Sequence, residues 1–225
     1  MISKINKFIK IKTSKLTEYE LMSLDRYKNI FLSGGAGVIT KLITLLCSFI
    51  SIPITVSYLG PERYGVLMIL TSFVLFLSFA DFGLGNGLLN KVTSAHARSS
   101  YHDAQRAISS SLALMLLIAS IILLIYFGFY NYIAWNKVFN VQSELALSEV
   151  KPAMTVLIFF IAINLPLGIV RKIYLGLQKD YSYQIYAAMG SVASLVGIFI
   201  GIYFQVGLPG IVFLFFGGHA LFALI

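Results

Sequence analysis

The feature that most constrains this chain is the stretch from Ala107 to Asn136, which contains no Asp, Glu, Lys or Arg. A bilayer crossing needs roughly 20 predominantly apolar residues, so a charge-free run of this length points to lipid as its solvent. Five further runs repeat the pattern. Phe31 to Leu59 carries only Lys41, Tyr64 to Asn90 only Asp81, and Pro152 to Val170 no charge at all. From Tyr181 onward nothing is charged, which is too long for one helix, and Gly207, Pro209 and Gly210 divide it near residue 205. The expected fold is therefore all-α: a polytopic membrane helix bundle of about six transmembrane helices over 29–225. Composition agrees, with 58% hydrophobic and only 12% charged residues.

The net charge of +8 would suggest a nucleic-acid partner in a soluble protein, but its placement argues otherwise. Seven cations (Lys4, Lys7, Lys10, Lys12, Lys15, Arg26, Lys28) precede the first apolar run, so residues 1–28 read as a basic cytoplasmic segment. Lys91, Arg98 and Arg106, then Arg171, Lys172 and Lys179, fall on the same side, leaving Arg63, Lys137 and Lys151 for the other. Because Lys and Arg near span ends stay in the cytosol, the N-terminus is expected inside. Ile2, Ile5 and Ile9 among the lysines fit either a helix lying on an anionic leaflet or a solvated arm. The sixth run is still apolar at Ile225, so the chain is expected to be a truncated product or a fragment.

Charges deep in a membrane cost several kcal/mol unless paired or hydrated. Lys41 and Asp81 both lie about 15 Å from the inner ends of neighbouring spans, at 1.5 Å per helical residue. They read either as an ion pair lining a transport path, or as a structural pair, or as a lysine that snorkels. The run Asp81-Phe82-Gly83-Leu84-Gly85-Asn86-Gly87 places three glycines at alternate positions, making Gly83, Gly85 and Gly87 candidates for a helix break and Asn86 a polar candidate beside it. Close helix packing is the competing reading of those glycines. Asn164 next to Pro166 suggests a kink with a polar group near it. Ala193, Gly197 and Gly201 form a small-residue stripe for helix contact. His219 reads as a hydrogen-bonded interior residue or a proton carrier. His96, His102 and Asp103 lack metal-ligand spacing, and a single cysteine, Cys47, provides neither a disulfide nor a thiolate site. No catalytic, cofactor or metal site is expected. Glu144 and Glu149, the acids of the largest outer loop, read as solvated charges.

Residues 57–90, SYLGPERYGVLMILTSFVLFLSFADFGLGNGLLN, resemble the bacterial polysaccharide flippases of the multidrug/oligosaccharidyl-lipid/polysaccharide exporter superfamily. Leu59-Gly60 with Tyr64-Gly65 looks like that family's first outer loop, and Asp81-Phe82-Gly83-Leu84 like the end of its second span. Tyr174-Leu175-Gly176-Leu177-Gln178-Lys179 and Gly207-Leu208-Pro209-Gly210 are similar to later turns. The resemblance covers roughly 28–225 and implies one lobe, the N-terminal half, of a two-lobed flippase. It further implies translocation of undecaprenyl-diphosphate-linked oligosaccharide units for O-antigen or capsule biosynthesis. Lys41 and Arg171 would then hold the diphosphate, Asp81 would couple a driving ion, and membrane lipids and other polysaccharide assembly proteins would be partners. A multidrug exporter of the same superfamily, a membrane-embedded glycan polymerase or acyltransferase, and a nonfunctional fragment are the alternatives.

Overall fold

The computed structural model describes residues 18–77 and 83–223. Seven helices account for the described elements: α1 (Glu18–Leu77), α2 (Leu84–Ala97), α3 (Tyr101–Phe129), the short α4 (Trp135–Phe139), α5 (Glu144–Gly176), α6 (Asp180–Tyr203) and α7 (Leu208–Ala223). The bundle is all-α, with no strand among the described residues.

α1 is two crossings rather than one. Its apolar stretch Tyr27–Val74 is 48 residues long, more than twice what a bilayer needs. Gly60 divides it, with φ 76° and ψ 167°, a region open essentially to glycine alone. Pro61 follows, and its fixed φ and missing N–H suit the first turn of the returning helix. α3, α5 and α6 are each long and apolar enough to cross, and α7 is a shorter apolar helix. Among the described residues, four helices are thus long and apolar enough to cross, α1 twice over.

The turns fall at two ends. Gly60, the 130–143 connection and the 204–207 turn share one, here called the Gly60 end; the 98–100 and 177–179 turns share the other, the basic end. α7 packs on α6 and α5, α6 on α1, α3 on α5, and α2 on both α3 and α5. Close approach at α6–α7 rests on missing side chains. A Cβ at Gly201 would meet Leu214 and Val206, and one at Gly190 would meet the His219 backbone at 3.1 Å. Gly197 and Gly201 thus belong to this contact, whereas Ala193 lines a groove facing α1. Gly176 likewise lets α5 reach Val92 of α2.

The larger buried cluster gathers at the Gly60 end, around Leu67, Leu70, Leu157, Leu208, Ile211 and Trp135. A smaller one, Leu88, Val92, Ala107, Met115 and Ile169, holds the basic half. Outside, the bundle is greasy: Phe31, Phe49 and Leu124 are each more than 70% exposed. In water such a surface would drive aggregation. Lipid tails accept it at no cost, and van der Waals fit and polar contacts then decide which helix faces pair.

Candidate functional site

Between α1, α6 and α7 runs a seam of hydroxyl groups. On α1, Thr40, Thr44, Ser48, Ser51 and Thr55 recur every three or four residues and so share one face. Thr40, Ser51 and Thr55 are buried. Thr40 Oγ1 donates to the Gln184 carbonyl at 2.8 Å, and Thr44 Oγ1 meets Ser191 Oγ at 2.9 Å. Ser191 Oγ lies 3.3 Å from His219 Nε2, while Ser194 Oγ lies 3.1 Å from His219 Nδ1 and donates to the Phe215 carbonyl at 2.9 Å. A hydroxyl has one proton. That of Ser194 goes to the Phe215 carbonyl and that of Ser191 to the Ala187 carbonyl at 3.1 Å, so each serine oxygen turns its lone pairs toward the imidazole nitrogen it faces. His219 is therefore the knot tying three helices, its two ring nitrogens both engaged.

Beside the seam, on the basic half, α1 and α6 part to leave a groove of about 870 Å³. Phe31, Ile39, Ile43, Ile185, Met189 and Val192 are among its walls, and Thr40 is the polar residue nearest the seam. At its end, Tyr181 N–H donates to Ser33 Oγ at 3.1 Å, and Asp180 Oδ2 accepts from Gln184 Nε2 at 2.9 Å. The other oxygen of Asp180, Oδ1, is buried and has no hydrogen-bond partner among the described residues. An unmet carboxylate oxygen is an acceptor available to a proton or a cation.

The residues singled out from sequence are dispersed. Lys41 is exposed on α1, next to Thr40 but off the seam, with exposed Val38, Leu42 and Leu45 around it. Asp81 lies outside the described residues, so the Lys41–Asp81 pairing does too. Asn86 is exposed on α2 and accepts from Lys172 Nζ of α5 at 2.9 Å. Asn164 is exposed on α5 and spends its amide on its own helix, Nδ2 donating to the Phe160 carbonyl at 2.8 Å. Pro166 sits within α5, whose helix runs unbroken from Glu144 to Gly176. Arg171 is exposed, its guanidinium 5.7 Å from the Tyr183 ring centre. Gly83 takes the left-handed conformation, φ 77°, immediately before α2. Gly85 and Gly87 lie inside that helix rather than interrupting it. A glycine penalty of about 1 kcal/mol is small beside the packing of a helix on two neighbours, and Gly85 is buried there.

One sequence expectation is corrected. Glu149 is not a solvated charge: it pairs with Arg63 NH1 at 3.4 Å, and its Oε2 accepts Leu208 N–H at 3.1 Å. Arg63 Nε in turn donates to the Leu59 carbonyl at 2.7 Å, just before the Gly60 break. A side chain at Gly207 would press on Glu149 Oε1, so admitting one would shift the Glu149 carboxylate in this clasp. Next to this clasp, Glu62 accepts the backbone N–H groups of Gln142 and Ser143. Those donors hold its carboxyl below the usual carboxylate range.

Long apolar helices, a hydroxyl seam and an apolar groove define a polytopic membrane helix bundle. The same fold occurs in an outward-facing multidrug resistance MATE family transporter of the MOP superfamily (TM-score 0.72, 19% identity, 88% of this chain and 44% of that one). It also occurs in a MOP superfamily transporter from Pyrococcus furiosus (TM-score 0.67, 19% identity, 87% and 42%). Residues 27–150 match the polysaccharide biosynthesis protein family, and the chain belongs to that family. A Salmonella typhimurium protein named for O-antigen transport is 31% identical over 127 residues, 56% of this chain and 28% of its own. A Yersinia pseudotuberculosis protein named for O-antigen export is 33% identical over 72 residues, 32% and 16%. The chain thus spans less than half the length of the relatives it matches.

Proposed function

We propose that this chain forms one lobe of an exporter that carries undecaprenyl-diphosphate-linked oligosaccharide units from the inner to the outer leaflet of a bacterial inner membrane, for O-antigen or capsule assembly. The observation that carries this reading is the level at which kinship is found. Sequence similarity runs to proteins named for O-antigen transport and export, whereas similarity to multidrug transporters is confined to fold. The basic end would face the cytosol, since it gathers most of the cations.

Lys41 supports a hydrated path. An ammonium group about 15 Å deep on an exposed apolar strip is costly against bare lipid, so that face of α1 is where a water-filled cavity or an anionic cargo would lower the cost. In this reading Lys41 and Arg171 attract the diphosphate, Asn86 and Asn164 offer polar contacts along the path, and Asp81 couples an ion. The groove beside Thr40 suits the polyprenyl chain, being almost wholly apolar. A polymerase or acyltransferase would need free acid–base groups at the opposite face, and Glu149 is committed to Arg63 and Leu208.

The test is genetic. Deleting the intact gene is expected to strand lipid-linked repeat units on the inner leaflet while drug tolerance stays unchanged. Altered drug tolerance with normal surface glycan would instead assign the cargo to the multidrug class.

A further inference from the structure

At the basic end, α2 and α3 meet in a tight antiparallel turn. Ser99 takes φ 54°, and Ser100 N–H closes back onto the Ala95 carbonyl at 2.9 Å. Lys91, Ser94 and Arg98 follow one another at steps of three and four along one helix, and Asp103, Arg106 and Ser110 do the same along the other. The two rows, with Asn90, line a groove of about 560 Å³ whose floor is the buried pair Ala95 and Ala107. Among the described residues, none of the three cations has a carboxylate within ion-pair distance, and Asp103 accepts from Ser100 Oγ at 2.8 Å. Three cations against one carboxylate leave a net +2 in the groove.

We propose that this groove binds the phosphate of an anionic membrane lipid. Arg98 and Arg106 offer planar, forked N–H donors that match two phosphate oxygens at once, Lys91 adds a point charge, and Ser94, Ser110 and Asn90 add neutral donors. The net charge repels metal cations, and no aromatic lines the groove on which a nucleotide base would stack. A lipid is favoured over free phosphate by what lies next along α3. Leu114 and Leu117, four and seven residues beyond Ser110 on the same face, are 40% and 56% exposed and lie one to two turns further into the apolar part of the helix, where acyl chains would rest. The site is independent of the cargo proposed above, because it is built only from α2 and α3, away from the α1–α6 groove.

The full chain in zwitterionic detergent is titrated with a short-chain phosphatidylglycerol, with the matching phosphatidylcholine, and with inorganic phosphate, and bound lipid is read by native mass spectrometry. Phosphatidylglycerol is expected to be retained in preference to phosphatidylcholine and inorganic phosphate. Arg98→Gln or Arg106→Gln should each weaken it roughly ten-fold, the usual worth of one charge-assisted contact. Asp103→Asn should tighten it, and Lys179→Gln, an equal charge loss at the same end but outside the groove, should leave it unchanged. Equal weakening by Lys179→Gln would show diffuse attraction and overturn the site, as would indifference to both arginine substitutions. Inorganic phosphate binding as tightly as the lipid would overturn the lipid assignment.

Discussion

The two ends of this lobe are built on opposite principles. At the Gly60 end, one ion pair closes the structure: Arg63, Glu149 and the Leu208 amide form a clasp above the larger hydrophobic cluster. At the basic end, Lys91, Arg98 and Arg106 have no carboxylate partner among the described residues, the buried cluster is small, and two grooves open between helices. Polarity used to close a structure sits at one end, and polarity left for an outside partner sits at the other. A transport lobe needs both, since a surface that receives cargo has to swing from a part that holds its shape.

The sharpest way to break this contrast is to carve the core at each end. Leu157→Ala, at a fully buried position of the larger cluster, should cost about 2–5 kcal/mol, whereas Leu88→Ala in the smaller one should cost less, as measured by unfolding in detergent. Equal losses would erase the distinction. Next in size, Glu149→Ala leaves Arg63 and the Leu208 amide unmatched and should cost about 1–3 kcal/mol, with Glu149→Gln recovering part by still accepting from Leu208. A smaller effect is expected of acid. The Glu62 carboxyl is depressed in the folded chain, so its contribution is present above the unfolded value near 4.5 and is lost as pH falls through the lower folded value. Melting curves of Glu62→Gln should accordingly be flatter than wild type below that pH. Smallest for stability is Lys41→Ala, which is exposed and should melt as wild type while export of surface glycan falls. Unchanged glycan would remove Lys41 from the path.

Much of the architecture was legible in the residues alone. Charge-free runs located the crossings, and Gly60-Pro61 and Gly207 marked turns because backbone and steric limits there are local. What stayed hidden was relational. The Arg63–Glu149 clasp joins positions 86 residues apart, which no spacing rule exposes. Gly85 and Gly87 carry a helix-weakening preference that packing on α3 and α5 outweighs. The hydroxyl face of α1 was present as a period of three and four, but a search for intramembrane charge passes over Thr and Ser. Only the pairing of Thr44 with Ser191 and His219 shows what that face is for.

The clasp also sets an order of events during synthesis. A ribosome adds about 5–20 residues per second, so roughly 4–17 seconds separate the emergence of Arg63 from that of Glu149, with Leu208 later still. Throughout that interval the Arg63 guanidinium has the Leu59 and Tyr58 carbonyls of its own hairpin but not the Glu149 carboxylate.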